Sequence, residues 1–450
     1  MLATNLNIII LAAGKGKRMH STYPKILHLL GGKPILQHVI DLSKSINSKN
    51  IYLIYNYQYK LFRSIITDPD LIWIKQKKLL GTGNAIYQII NILKNDENYL
   101  ILYGDMPLIS NQSIKNLILS KRKSSISLLT AKVRNPESYG RIIRKKEKIK
   151  KIVEHIDATK KQLKIHEINS GIFITTGKNL KNWTKKISNK NKKKEYYITD
   201  IIYLAYKDKH TIHAVHPANN NEIQGINNKL QLSRAEKLYQ KKRTNHLLLS
   251  GVTIHNPSNF NIRGTLKHGK NVEIDNGVIL EGTIKFGHSV KIGPGCIIKN
   301  STIGNNCYIK AYTIIEETII ANNCIIGPFS NLRNGTVLKN NTKIGNFVEV
   351  KESIIEYASK IKHLSYLGNS NIGKKVNIGA GTIFCNYDGK NKFNTTIGNN
   401  VFIGSNCQII APITITNDTI IAAGTTVMKN VNKPSLVYNK KQEIQKKMKY

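Results

Sequence analysis

A mostly parallel α/β domain followed by a parallel β-helix of hexapeptide repeats is the architecture this sequence predicts, on three observations. An apolar run, Ile8 to Leu11, passes into the glycine-rich basic segment Leu11-Ala12-Ala13-Gly14-Lys15-Gly16-Lys17-Arg18-Met19, with Pro24-Lys25 after it. Short apolar strands then alternate with helical segments as far as about residue 228. From about Val252 onward, aliphatic residues recur every six positions. The 450 residues suffice for two or three domains with cores of their own, and 40% hydrophobic residues is ordinary for a globular protein.

Ile8 to Leu11 has the length and composition of a parallel strand covered on both faces. The small residues after it let the backbone turn sharply, so that N–H groups face an anion. Gly14 and Gly16 permit positive φ and close backbone approach, while Lys15, Arg18 and Lys25 supply charge suited to a triphosphate and a departing pyrophosphate. The spacing fits neither GxxxxGK[ST] nor GxGxxG, which disfavours a P-loop ATPase or a nicotinamide-binding domain. Further strands are predicted at Ile51 to Tyr55 and Tyr99 to Tyr103, with a helix over Thr82 to Leu93 between them. Such sheets bind ligands beyond the carboxyl ends of their strands, where the Gly14 loop and Gly104-Asp105 both fall. Leu232, Ala235, Leu238 and Tyr239 lie at helical spacing among charges, so Leu230 to Ser250 reads as a connecting helix. The domains are therefore expected at 1–229 and 251–450, with a linker helix over 230–250.

In the second half Ile326, Leu332, Leu338, Ile344 and Val350 are each six apart, as are Ile397, Ile403, Ile409, Ile415, Ile421 and Val427. Glycine follows the apolar position repeatedly, as in Ile344-Gly345 and Ile403-Gly404. One inward aliphatic per face makes three hexapeptides a triangular coil of 18 residues, and Val252 to Asn430 then gives roughly ten coils. The phase breaks between Ile378 and Ile397, which predicts a loop expelled around Cys385-Asn386-Tyr387-Asp388-Gly389.

Five cysteines, Cys296, Cys307, Cys324, Cys385 and Cys407, form no CxxC pair and read as core thiols rather than disulfides or zinc ligands. The net charge of +42 invites a nucleic-acid or anionic-membrane reading, but lysine is spread over loops, helix faces and turns alike, with no basic stripe interleaved with aromatics. The apolar run at Ile8 lacks a preceding basic segment and a small-residue cleavage site, so a cytoplasmic protein without membrane insertion is expected.

The segment Leu11 to Lys25, then Gly81-Thr82-Gly83, Tyr103-Gly104-Asp105 and Glu195-Tyr196-Tyr197-Ile198-Thr199-Asp200, and finally the hexapeptide array, occur in the order of one family. From Asn5 to about Lys440 the chain resembles the bacterial bifunctional UDP-N-acetylglucosamine pyrophosphorylases and glucosamine-1-phosphate N-acetyltransferases. The resemblance implies a Rossmann-like α/β nucleotidyltransferase domain and a left-handed β-helix, assembled as a cytoplasmic homotrimer that makes cell-wall precursors. It implies that the first domain couples N-acetylglucosamine-1-phosphate to UTP on Mg²⁺ held by Asp105 and Asn227. The sugar phosphate would attack the α-phosphorus in line, with Arg18 and Lys25 stabilising charge. Leu11, Ala12, Ala13, Gly14, Tyr103 and Gly104 would join the nucleotide-sugar site. Gln76, Gly81 and Thr82 would read the uracil; Gly140, Glu154 and Asn169 would hold the sugar. In the second domain, the resemblance implies acetyl transfer from acetyl-CoA to the amine of glucosamine-1-phosphate. His363 would be the general base, oriented or polarised by Glu349. Arg333, Lys351, Tyr366 and Asn377 would grip the sugar phosphate, and Ala380, Asn386, Tyr387, Ser405, Ala423 and Lys440 would line the CoA groove between neighbouring subunits.

Two positions depart from the family pattern. Lys440 stands where the family has arginine, and an ammonium does not reproduce a bidentate guanidinium contact. Ser170 stands where threonine is usual and keeps the hydroxyl. Three other readings remain in view: a monofunctional sugar-1-phosphate nucleotidyltransferase on a structural β-helix, a noncatalytic assembly subunit, and a basic nucleic-acid binder. The first predicts a degenerate second site and the second predicts loss of Lys25 or Asp105, whereas all these residues are present.

Overall fold

A computed structural model describes residues 5–121, 125–440, 443–446 and 448, and the chain divides into two compact units, Met1–Tyr239 and Gln240–Tyr450. The first is built on β1 (Leu6–Leu11), β2 (Asn50–Tyr55), β3 (Leu71–Lys75), β4 (Asn98–Tyr103), β5 (Ile126–Lys132), β6 (Arg141–Lys145), β7 (Lys148–Val153), β8 (Glu167–Thr176) and β9 (Ile212–Val215). The main sheet runs β9-β5-β8-β4-β1-β2-β3, with the β6–β7 hairpin branching from β8. Every neighbouring pair along that path is parallel except the two made by β8.

The unbroken apolar run of β1 follows from burial on both faces. Ile8 and Ile10 join one core layer with Leu53, Leu100 and Leu102, and Ile9 joins the other with Ile54 and Ile101. Full burial of each such side chain contributes about 1.5–3 kcal/mol, so neither face tolerates a polar residue. The helix expected over Thr82 to Leu93 is shorter: α1 spans Thr82–Tyr87, and Gln88 to Ile92 continue as tighter turns bonded three residues back. Ile89, Ile90 and Ile92 are β-branched and lose side-chain freedom in a regular helix. Two further helices bear on function, α2 (Asp200–Lys207) and α3 (Lys229–Leu249). Early in α3, Ala235 buries against Leu30, Ile35 and Ile226. No helix among the described residues is long and apolar enough to cross a membrane.

The second unit is a left-handed parallel β-helix. Eleven strands from Thr253–Ile254 to Leu436–Val437 stack on one face, and a seventeen-strand sheet wraps the remaining sides. All eleven aliphatics of the six-residue series are buried in one continuous core. The coils are not uniformly 18 residues long. Asn261 pairs with Ile279, eighteen positions on, but Lys343 pairs with Lys360, seventeen on. The missing residue is lost at corners where the inward aliphatics stand five apart, as in Ile298/Ile303, Ile315/Ile320, Val350/Ile355 and Leu367/Ile372. In each, the second residue after the first aliphatic takes a left-handed conformation: Asn300, Glu317, Glu352 and Asn369 have φ between 44° and 48°. The expelled loop is present, since Asn377 pairs with Phe402, twenty-five positions on, and Tyr387 bridges back to Lys392. All five cysteines are free; Cys296, Cys307, Cys324 and Cys407 are buried as the core thiols expected, whereas Cys385, where the expelled loop leaves the coil, is only partly buried.

Candidate active sites

In the first unit the chain turns at the carboxyl end of β1 through Gly16, whose φ of 63° is left-handed; Gly14, which permits the same conformation, does not adopt it. A side chain at Gly14 would meet nothing within 4 Å, so this glycine leaves the loop face open rather than relieving strain. Of the predicted nucleotide-sugar residues, Leu11, Ala12, Ala13, Gly14, Lys25, Gln76, Gly81, Thr82, Tyr103, Asp105, Gly140, Glu154 and Asn169 line one cavity of about 730 Å³. Gly104 lies behind the wall, its N–H bonded to the Leu11 carbonyl at 2.9 Å. Asn227 lines a second cavity of about 780 Å³ that shares Arg18, Tyr103 and Asp105 with the first.

Asp105 Oδ2 and Asn227 Oδ1 both accept from the Lys25 ammonium, at 2.5 and 3.1 Å, and Arg18 donates to the same amide oxygen at 3.0 Å. A carboxylate and an amide oxygen thus converge on one cation. Hard oxygen donors with a common focus fit Mg²⁺, whose remaining ligands are commonly water and phosphate. Gln76, buried at the end of β3, donates to the Gly81 carbonyl and to Asn84 Oδ1, both at 3.1 Å. Gly81 has φ of 102°, and a Cβ there would stand 2.5 Å from the Tyr196 carbonyl oxygen. The Glu195–Asp200 motif therefore clamps α1: Gly83 N–H donates to Tyr196 at 2.7 Å, and Ile198 N–H to the Thr82 hydroxyl at 3.1 Å.

Among the residues expected to hold the sugar, Asn169 N–H donates to the Gly140 carbonyl, and next to it Ser170 bridges the register break in β8 by donating to Leu129 and accepting from Ile172 N–H. The hydroxyl kept at Ser170 is thus a backbone clamp. Burial pushes the Glu154 carboxyl up from its ordinary value, although the Thr199 hydroxyl donates to it at 2.9 Å. Tyr103 is pushed up by desolvation first and then by Glu154 and Asp105, so its phenol stays protonated.

In the β-helix, His363 Nδ1 lies 2.9 Å from Asn346 Oδ1, its register partner one coil back. Glu349, expected to orient this ring, instead accepts from Arg333 at 2.7 Å. The reason is register: Glu349 pairs with Asn331, two residues before Arg333, and with Tyr366, on a different strand stack from His363. Lys351 lies 3.5 Å from Glu352, and Asn386 donates to Asn369 at 2.8 Å. Asn377 pairs along its strand stack with Lys360 and Phe402. Ala380, Ser405 and Ala423 follow one corner through three successive coils, joined by Asn406 N–H to Ala380 O and Gly424 N–H to Ser405 O. Tyr387 is exposed on the expelled loop, and Lys440 follows the last paired strand, Leu436–Val437.

Sequence reasoning missed two groups. Lys392, on the expelled loop, is pulled below its ordinary pKa by Lys351 first, with Glu352 opposing and Arg333 adding a smaller push, so three cations stand near one another beside a carboxylate. Asn346 was missed because its pairing with His363 depends on a seventeen-residue coil.

Among known protein families, the MobA-like NTP transferase domain matches residues 8–156, the GMPPB C-terminal domain 262–342, and the six-repeat bacterial transferase hexapeptide 394–429. The chain is 66% identical over 443 residues to the bifunctional protein GlmU of Buchnera aphidicola subsp. Baizongia pistaciae, covering 98% of this chain and 99% of that protein. It is 58% identical over 447 residues to the bifunctional protein GlmU of Buchnera aphidicola subsp. Acyrthosiphon pisum (strain Tuc7), covering 99% and 97%. Among solved structures, a putative glucose-1-phosphate thymidylyltransferase from Bacillus anthracis aligns over 52% of this chain and 94% of its own, at 20% identity and a TM-score of 0.43.

Proposed function

The chain belongs to the bifunctional GlmU family, and we propose that it acetylates glucosamine-1-phosphate with acetyl-CoA in its second unit and couples N-acetylglucosamine-1-phosphate to UTP in its first. The product of the first reaction is the substrate of the second, and UDP-N-acetylglucosamine and pyrophosphate are the final products. The observation that carries the reading is the likeness to a bifunctional relative across both units, with both sets of site residues inside the matched span.

In the first unit, Gln76, Gly81 and Thr82 hold the uracil, and Gly140, Glu154 and Asn169 hold the sugar. Asp105 and Asn227 hold Mg²⁺, which when bound neutralises phosphate charge and orients the triphosphate. Arg18 and Lys25 stabilise the charge that passes to pyrophosphate as the sugar phosphate attacks the α-phosphorus. No protein nucleophile enters. In the second unit, Arg333, Lys351 and Lys392 surround the sugar phosphate with charge-assisted donors, beside Tyr366 and Asn377. His363 takes the proton from the attacking amine, and Asn346 fixes the ring through Nδ1, leaving Nε2 toward the amine. Ala380, Ser405 and Ala423 present small side chains along one corner, which admits a CoA arm, with Asn386, Tyr387 and Lys440 at its edges and a homotrimer neighbour completing the groove.

Thiol release from acetyl-CoA with glucosamine-1-phosphate tests this reading on the native protein and on His363→Ala. Release in the native protein, falling by about a hundredfold or more in the variant while pyrophosphate still forms from UTP and N-acetylglucosamine-1-phosphate, is expected. Pyrophosphate formation without any thiol release would reduce the protein to a uridylyltransferase on a structural β-helix.

A further inference from the structure

We propose that Gln231, in the first turn of α3, is a positioning residue that sets the orientation of the Asn227 amide oxygen in the uridylyl-transfer site. The inference rests on the reading of Asp105 and Asn227 as the two oxygen donors to Mg²⁺. Asn227 lies in the irregular segment just before α3, where no ladder or helix fixes its peptide planes. Two bonds do so instead. The preceding Ile226 N–H donates to the Asp105 backbone carbonyl at 2.9 Å, tying the two donors' backbones together. The Asn227 N–H itself donates to Gln231 Oε1 at 2.7 Å.

Gln231 is in turn held, because its own N–H donates to Asn228 Oδ1 at 2.8 Å at the helix start. The helix is anchored one turn on, where Ala235 buries against Ile226 and Glu236 accepts from Gly31 N–H at 2.8 Å. Without the Gln231 acceptor, the peptide between Ile226 and Asn227 is free to turn, and Oδ1 leaves the focus it shares with Asp105. Loss of such an outer partner typically weakens a metal site while leaving its ligands intact.

The test uses the full-length protein with UTP and Mn²⁺ as probe, binding being read by electron paramagnetic resonance. Gln231→Met and Gln231→Ala should each weaken Mn²⁺ by about tenfold, and Asn227→Ala at least as much. Gln231→Glu, which keeps an acceptor, should restore binding, and hydrogen exchange of residues 225–231 separates a restored bond from the added charge. In uridylyl transfer the Met variant should raise the Mg²⁺ requirement while kcat at saturating Mg²⁺ stays within about twofold. Unchanged acetyl transfer reports a folded chain. Wild-type Mn²⁺ affinity in both the Met and Ala variants, with Asn227→Ala weakened, would overturn the role of Gln231 alone. So would a Glu variant that regains neither affinity nor exchange protection. Wild-type affinity in Asn227→Ala would remove the donor assignment, and this inference with it.

Discussion

A carboxylate in the first turn of a helix ordinarily gains from the helix dipole. Asp200 begins α2, yet its carboxyl is pushed up to about 6, by burial first and then by Glu154 and Asp157, with Lys151 opposing. The sign of the consequence follows from proton binding. Between its ordinary 3.8 and about 6, the folded chain holds a proton that the unfolded chain has released, so stability falls as pH rises through that window and stays lower above it. Asp200→Asn should therefore stabilise the protein at pH 8 by about 1 kcal/mol, a figure discounted for the partial exposure of the group. Calorimetry at pH 4 and pH 8 reads it: a gain confined to the higher pH is expected, and an equal gain at both would show that charge is not the cause. The motif ending in Asp200 was visible in the sequence, but its acidic company was not. Glu154 and Asp157 lie more than forty residues earlier and meet it only through the packing of α2.

At the level of elements, the hexapeptide period made the β-helix and its buried stack legible residue by residue, because one aliphatic per face is a strict packing demand. The five-residue corners at Asn300, Glu317, Glu352 and Asn369 escaped it, since a left-handed residue leaves no periodic mark. Asparagine tolerates that conformation, and Asn306, Asn323, Asn341, Asn400 and Asn406 all adopt it. Part of the asparagine content is thus corner chemistry. The expelled loop showed as a break in phase, but Lys392 within it did not, because nothing periodic places a loop residue. Coils beyond the loop pair eighteen apart, as in Phe402 with Ile420, against twenty-five for Asn377 with Phe402. Deleting residues 387–393 restores the eighteen-residue coil while removing Tyr387 and Lys392. The melting temperature should stay within about 3 °C of the parent, as for a solenoid that loses an insertion but no coil. Acetyl transfer should fall by about a hundredfold or more, and uridylyl transfer should be unchanged. A deletion that melts as the parent does and still acetylates at the parent rate would remove the loop from the site.

For the molecule as a whole, 69 lysines and arginines face 27 aspartates and glutamates, so even complete pairing leaves 42 cations without a carboxylate. Such an excess opposes compaction through self-repulsion, and salt relieves it, whereas salt weakens a chain held by surface ion pairs. The two effects have opposite signs. The ion pairs seen here are mostly half-exposed, as in Lys33–Asp41 and Arg263–Glu281, and each contributes well under about 1 kcal/mol. Repulsion therefore prevails, and the melting temperature should rise by about 3 °C between about 20 mM and 200 mM sodium chloride. The two compact units allow the effect to be located. Both tryptophans, Trp73 and Trp183, lie in the first unit, so their fluorescence follows that unit alone while circular dichroism follows both. A rise by both probes places the repulsion across the chain, and a rise by dichroism alone confines it to the β-helix. A fall by either probe would mean that local pairing outweighs net charge in the unit it reports, and that the lysine excess is compensated where it stands.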